Sequence, residues 1–348
     1  MFHPLTISEV RAEGTEAVAL TFDVPESLTR AFAFQPGQFL TLRAEIGGAD
    51  LRRSYSIAAA PGAGLTVGVR HVLGGAFSSF AQGLKAGDTL QVMPPEGRFV
   101  WNGAQNVLLI AAGSGVTPMV SIAEAALADG AEVALVYGNR RTDTIMFRSA
   151  LEALKDKHLD RLSLIHVLSR EPQDVALFSG RITSDRILAL TDAGLIAPSD
   201  ADAIYICGPQ AMTAGVESAL TRLDVPEERI RTELFTTMDG FVLPTPSVTR
   251  ASAEGDVPIT LKLDGAERQI TMTPEDVSVL AAAARAGLEL PYSCRGGMCC
   301  TCRCRVTEGS TDMAANYSLE PWELEAGFTL ACQARPTSAT LALDFDAV

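Results

Sequence analysis

Cysteines 294, 299 and 302 are spaced C-x4-C-x2-C, and a fourth, Cys332, stands far downstream in Leu330-Ala331-Cys332-Gln333. Four thiolates so arranged suit two irons bridged by two sulfides, three of them held on one tight loop. A loop wrapped around an anionic centre must turn backbone N–H groups inward. Gly296 and Gly297 allow that backbone, having no Cβ to oppose a positive φ. Zinc is the competing metal, since Cys299 and Cys302 also form a C-x2-C clip and Cys300 and Cys304 offer further thiols. Zinc loops normally pair two such clips, and here there is one. Cys300 and Cys304 themselves read as small buried hydrophobes.

Three other groups of residues could do chemistry. Arg53-Ser54-Tyr55-Ser56 sets a cation, an aromatic ring and hydroxyls together, with Arg53 and Tyr55 on one face of a strand. Gly74-Gly75-Ala76-Phe77-Ser78 offers a glycine turn with a hydroxyl, a bend that can hold phosphate. Gly113-Ser114-Gly115-Val116-Thr117-Pro118 leaves an apolar run and enters a helical pattern with proline near its start. A turn of that kind aims N–H groups and a helix dipole at an anion, typically a dinucleotide pyrophosphate. Proline stands where the third glycine of G-x-G-x-x-G would be. Further on, Ser169, Arg170 and Arg181 follow an apolar strand and could hold a 2′-phosphate, or be ordinary loop charges. None of the four histidines has glutamate three residues before it, so the chain carries no Glu-x-x-His di-iron site.

The elements that must position these groups fall into three blocks. Residues 1–101 read as short strands at 5–10, 17–22, 39–44, 53–57, 65–69 and 89–92, punctuated by Gly and Pro turns, hence an antiparallel β-barrel or sandwich. Over 102–235 the runs 107–112, 133–137, 162–168 and 203–207 alternate with helical patterns at 118–129, 144–157 and 210–223, the mark of an α/β parallel sheet. Residues 236–256 lack apolar periodicity and read as a linker long enough for the following module to change position. Residues 257–348 give a hairpin at 259–263 and 268–272, a helix at 274–286, the cysteine loop, and strands at 303–306 and 340–344.

Arg53-Ser54-Tyr55-Ser56, Gly113 to Pro118, Cys207-Gly208-Pro209 and Glu233-Leu234-Phe235, in that order, resemble the ferredoxin-NADP reductase superfamily. With the cysteine motif, similar to that of plant-type ferredoxins, the whole chain resembles a three-part oxygenase reductase. Leu51-Arg52-Arg53, Tyr137-Gly138-Asn139-Arg140, Met146-Phe147-Arg148, Asn316 to Pro321 and Asp344 to Ala347 are similar to reductases that serve multisubunit di-iron epoxidases. The resemblance implies an FAD-binding β-barrel, an NAD(P)-binding α/β domain and a β-grasp α+β ferredoxin domain. FAD, NADPH and a [2Fe-2S] cluster are the implied cofactors, and a separate di-iron oxygenase is the implied partner. Arg53 would contact the flavin pyrophosphate, Tyr55 would pack on the ring, and Ser56 would bond near N5. Gly75, Ala76, Phe77 and Ser78 would hold the flavin phosphates. Gly113, Ser114 and Gly115 would take the pyrophosphate of the dinucleotide. Thr117, Cys207 and Glu233 would surround the nicotinamide, with Gly208 and Pro209 completing that turn. Ser56, Cys207 and Glu233 form the implied catalytic set, and Phe235 stands where plant-type reductases carry a terminal tyrosine. Ser169, Arg170 and Arg181 resemble the 2′-phosphate contacts of NADP-using members. Cys294, Cys299, Cys302 and Cys332 are the implied cluster ligands.

Composition agrees with this outline. A chain of 348 residues is long enough for two or three domains, and 47% hydrophobic residues can fill a core in each. A net charge of −14 argues against nucleic acid or an anionic membrane as partner, and suits a basic protein surface. An odd cysteine count crowded into one loop, with no basic-then-apolar start, points to a reducing cytoplasm. The uncharged stretch 99–123 is broken by Asn, Gln, Gly and Pro, so it reads as a buried strand and helix. Two other readings stay open: service to a ring-hydroxylating or steroid oxygenase, and a redox-sensing module without turnover.

Overall fold

The computed structural model describes residues 2–235 and 255–347, in two compact units, Met1–Asp239 and Gly240–Val348. The linker expected at 236–256 lies almost wholly outside the described residues.

The first unit opens with six antiparallel strands, β1 (His3–Glu13), β2 (Ala17–Asp23), β3 (Phe39–Ile46), β4 (Ala49–Ser56), β5 (Leu65–Arg70) and β6 (Thr89–Val92), ordered β4-β3-β6-β1-β2-β5. Ile57 bridges Val67, so the chain leaving β4 meets β5 and the sheet closes on itself. Alternate side chains Leu5, Ile7, Leu40, Leu42, Val67 and Val69 point inward and are fully buried, as a closed sheet with one apolar face requires. The short helix α1 (Ala76–Ala81) lies between β5 and β6, where the sequence shows only a glycine turn.

A parallel sheet follows, with β7 (Asn106–Ala112), α2 (Val116–Ala128), β8 (Glu132–Asn139), α3 (Arg148–Lys157), β9 (Leu162–Leu168), α4 (Ser184–Asp192), β10 (Ala203–Gly208), α5 (Gln210–Arg222) and β11 (Ile230–Leu234), ordered β11-β10-β7-β8-β9. Val107, Leu109 and Ala111 pack with α2, while Leu108 and Ile110 pack with α4 and α5. Helices on both faces explain why β7 is apolar without alternation. The uncharged stretch 99–123 is thus β7 and the start of α2, and no helix among the described residues is long and apolar enough to cross a membrane. Helix α3 starts four residues later than its periodicity predicts. Phe147 adopts φ 55° and donates its N–H to the buried Glu13 carboxylate at 2.7 Å, which breaks the helical path. Helix α4 and strand β11 have no counterpart in the apolar pattern: both are short, and β11, at the edge of the sheet, is polar at its three middle residues, Arg231, Thr232 and Glu233.

The second unit has β12 (Val257–Leu263), β13 (Ala266–Met272), α6 (Val279–Arg285), β14 (Arg303–Glu308), β15 (Thr311–Met313), α7 (Pro321–Glu325), β16 (Phe328–Leu330), β17 (Ala334–Pro336) and β18 (Leu341–Asp344). The main sheet is ordered β13-β12-β18-β14-β16, with β12 and β18 parallel and the other pairs antiparallel. Val279, Leu280, Ala282 and Ala283 of α6 are buried with this sheet, completing a β-grasp arrangement. The helix begins at Val279 and not at Pro274, because the Ser278 hydroxyl caps it by accepting the Ala281 N–H at 3.2 Å. Asp276 meanwhile accepts from Thr273 N at 2.9 Å and pairs with Arg285 at 2.7 Å, closing the preceding residues into a turn.

Candidate functional site

Register brings the expected catalytic side chains together. Cys207 on β10 lies opposite Glu233 on β11, and Ser56, ending β4 of the antiparallel sheet, directs Oγ to Glu233 Oε2 at 3.5 Å. Ser56 and Cys207 are almost completely buried. Burial pushes the Glu233 carboxyl up to about 8, partly offset by the Ser56 hydrogen bond. Burial, with the Glu233 carboxylate beside it, also pushes the Cys207 thiol far up, so this sulfur is an uncharged wall. A Cβ on Gly115 would come within 2.1 Å of the Cys207 carbonyl oxygen. Only glycine therefore lets the turn before α2 cross the end of β10. Thr117 faces β5, where a Cβ on Gly68 would meet its Cγ2 at 2.8 Å. Gly208 and Pro209 carry β10 into α5. Phe235, half-buried, packs against the core that contains α2.

Around this point the remaining expected residues are placed unequally. Tyr55 stacks obliquely on Phe77, with centroids 5.8 Å apart, and burial pushes its phenol pKa up. The Arg53 guanidinium donates to the Arg52 carbonyl at 2.7 Å. Phe77 is core, so only its backbone faces outward use; Ala76, Phe77 and Ser78 form the first turn of α1, where N–H groups have no carbonyl one turn back. Ser78 Oγ accepts the Val72 N–H at 3.1 Å and donates to Gly75 O at 3.1 Å, so its hydroxyl shapes the turn. At the far end, Ser169 Oγ donates to Asn139 O at 3.2 Å. Gly180 N donates to Leu168 O at 2.8 Å, which lays Arg181 beside Arg170 at the end of β9. Both arginines are exposed.

Two site features escape the sequence reading. The turn Gly113-Ser114-Gly115, with φ 57° at Gly113, is overhung by Arg70, whose Nη1 stands 2.5 Å from where a Gly113 Cβ would be. A cation closing an apolar strand, Leu65–Arg70, was the available signal. Beneath the turn, the fully buried Tyr137 hydroxyl donates to Gly113 O at 3.0 Å and accepts from Met146 N at 3.3 Å. Tyr137→Phe strands the buried Met146 N–H, while Gly113 O keeps the Val116 N–H, so the change is expected to cost about 1–3 kcal/mol in urea unfolding. An unchanged denaturation midpoint would contradict this.

The four thiols gather on the second unit. Arg303 on β14 opposes Leu330 on β16, and Ala331 N donates to Cys302 O at 3.0 Å, so Cys302 and Cys332 flank the end of one ladder. The Cys302 and Cys332 thiols lie against each other, as do those of Cys294 and Cys299. Cys294 N points at Cys299 Sγ at 3.5 Å, Gly296 N at Cys294 Sγ at 3.3 Å, and Gln333 Nε2 at Cys332 Sγ at 3.6 Å. Two sulfur pairs with inward N–H donors fit two irons, two thiolates to each. The loop takes left-handed turns at Arg295, Gly297 and Cys300. A Cβ on Gly297 would meet Ala315 O at 2.8 Å. Cys304, expected as a buried hydrophobe, is buried; Cys300 is half-buried and points to Ser318 Oγ at 3.0 Å.

A closed antiparallel sheet and a parallel sheet meeting at Ser56, Cys207 and Glu233, with a four-thiol loop on a β-grasp unit, define an oxidoreductase with flavin, nicotinamide and [2Fe-2S] modules. Family models agree: the oxidoreductase FAD-binding domain matches residues 4–101, the oxidoreductase NAD-binding domain 109–218, and the 2Fe-2S iron-sulfur cluster binding domain 261–337. The chain belongs to the family of oxygenase reductase components that includes one subunit of 1,2-phenylacetyl-CoA epoxidase from Escherichia coli, with which it is 42% identical over 99% of its length and 98% of the relative's. It is also 33% identical to the ferredoxin reductase component of 3-ketosteroid-9-alpha-monooxygenase from Rhodococcus rhodochrous, over 98% of this chain and 96% of that one. Among solved structures, phthalate dioxygenase reductase shares the fold, with a TM-score of 0.59 at 22% identity over 99% of this chain and 98% of that chain.

Proposed function

We propose that this protein takes electrons from NADPH and delivers them, through FAD and a [2Fe-2S] cluster bound by Cys294, Cys299, Cys302 and Cys332, to the di-iron oxygenase subunits of a phenylacetyl-CoA epoxidase in the cytoplasm, in aerobic phenylacetate breakdown. The domain boundaries we assign are 1–101 for flavin, 102–235 for nicotinamide, 236–256 for the linker and 257–348 for the cluster. The observation that carries the chemistry is the meeting of Ser56 with Glu233 and Cys207 from two different sheets. The observation that points to the partner is 42% identity, along nearly the whole chain, to a component of that epoxidase.

When bound, flavin accepts a hydride and releases electrons singly, and the cluster carries one at a time. Tyr55, backed by Phe77, gives the ring a flat wall, and the buried Ser56 hydroxyl supplies a hydrogen bond beside it. N–H groups of Ala76, Phe77 and Ser78, with Arg53, take the flavin phosphates. Gly113 to Gly115 and Arg70 take the pyrophosphate, and Thr117, Cys207 and Glu233 enclose the nicotinamide and exclude water. Glu233 stays protonated at neutral pH and adds no fixed charge near the reacting ring.

Arg170 and Arg181 favour NADPH, since Glu171, next to Arg170, gives its carboxylate to Thr142 N and Oγ1 at 2.8 and 2.6 Å. Arg181→Gln is expected to lower kcat/KM for NADPH about tenfold, the worth of one charged phosphate contact, and to leave NADH nearly unchanged. A wild-type kcat/KM for NADH equal to or above that for NADPH would overturn the preference. The partner is tested by NADPH-dependent epoxidation with purified epoxidase subunits. Coupling to a steroid or ring-hydroxylating oxygenase and not to the epoxidase would transfer the assignment to that system, and bound cofactors without turnover would make the protein a sensor.

A further inference from the structure

We propose that Glu16 is a positioning residue for the dinucleotide, holding two arginines in place at the pyrophosphate turn. One carboxylate oxygen of Glu16, Oε2, accepts from Arg70 Nη2 at 2.9 Å and also from Arg140 Nη2. Each arginine leads to a different part of the dinucleotide path. Arg70 closes β5 and overhangs Gly113. Arg140 directly follows β8, and its carbonyl accepts the Arg170 N–H at 2.8 Å, so its backbone carries the arginine assigned to the 2′-phosphate.

The carboxylate that joins them is itself fixed. Glu16 leaves the β1–β2 turn, where Thr15 N donates to Asp143 O at 2.9 Å and a Cβ on Gly14 would meet that same oxygen at 2.6 Å. Glu16 O accepts the His71 N–H at 2.7 Å, next to Arg70. Guanidiniums on long side chains lose much rotamer freedom when they bind phosphate. A carboxylate already gripping one nitrogen of each removes part of that cost before the ligand arrives, and leaves the remaining donors for phosphate oxygens. The triad keeps one net positive charge toward a dianion.

Positioning and simple charge balance predict opposite results. If Glu16 were only a counter-ion, its neutralisation would strengthen anion binding. As a positioning residue, Glu16→Gln is expected to raise KM for NADPH about tenfold with little change in kcat, the loss of one charge-assisted contact. The inference rests on the proposed function, and the assay separates the two. Ferricyanide reduction by the intact protein is followed with NADPH and with 1-benzyl-1,4-dihydronicotinamide, which carries no phosphate. A raised KM for NADPH with an unchanged rate for the benzyl donor, and a smaller rise from Arg140→Gln in the Glu16→Gln protein than in the wild type, supports the inference. An unchanged or lowered KM overturns it, as does equal slowing with both donors. A wild-type protein inert with either donor would instead remove the proposed function, and this inference with it.

Discussion

Cys332→Ala is expected to yield a protein that keeps its yellow flavin spectrum, contains no stoichiometric iron or acid-labile sulfide, and no longer reduces cytochrome c or an oxygenase. The reason lies in the ladder end that joins Cys332 to Cys302. One sulfur fewer leaves an iron with a single thiolate, and an incomplete cage does not retain a cluster. NADPH should still reduce the flavin at the wild-type rate, because the residues assigned to hydride transfer belong to the other compact unit. Cys304→Ala serves as the contrast: that thiol is buried against Thr329 O and outside the two sulfur pairs, so its cluster should assemble normally. A Cys332→Ala protein with full iron content, or a Cys304→Ala protein without any, would refute the ligand set.

The second large effect falls on Glu233. Glu233→Gln is expected to slow anaerobic flavin reduction by NADPH about a hundredfold, because the amide puts an NH2 group where the protonated carboxyl presents an O–H and so disturbs a preorganised polar group at a buried reacting site. Its stability should move the other way. The carboxyl is pushed up to about 8 in the folded protein, against an ordinary value of 4.5. Below that ordinary value both folded and unfolded chains hold the proton, and the group costs nothing. As pH rises from 4.5 toward 8 the unfolded chain releases its proton while the folded one keeps it, so stability falls across this window. Glutamine has no proton to lose. The variant should therefore melt higher than wild type at about pH 8.5 and together with it near pH 4.5. Equal melting temperatures at both pH values would show that Glu233 carries no burial cost, and wild-type reduction kinetics would remove it from the catalytic set. Such opposition between stability and activity is characteristic of polar groups buried for function.

Many features of this protein can be read from local order. The six barrel strands declare themselves through alternation and turns, four of the five parallel strands through largely apolar runs, and the cluster loop through cysteine spacing. These signals are local because a strand's period and a loop's ligand spacing are written along the chain. Helix starts are less legible. Phe147 and Ser278 set where helices begin through contacts with Glu13 and Ala281, and a periodicity count does not register such caps. Strand β11 shows only its motif, Glu233-Leu234-Phe235, since an edge strand lacks the double burial that makes its neighbours apolar.

Residue type and spacing along the chain are enough to define the module types and to nominate four cysteines as cluster ligands, and the ordered motifs nominate Ser56, Cys207 and Glu233 through the family they resemble. Which groups meet is a property of the folded chain alone: Ser56 reaches Glu233 across two sheets, the thiols pair as 294 with 299 and 302 with 332, and Glu16 ties Arg70 to Arg140 over the Gly113 turn. These are contacts between residues tens to more than a hundred positions apart, or, for the thiols, a choice among pairings that spacing leaves open. They follow from strand register, sheet closure and the few places where a missing Cβ lets two backbones cross.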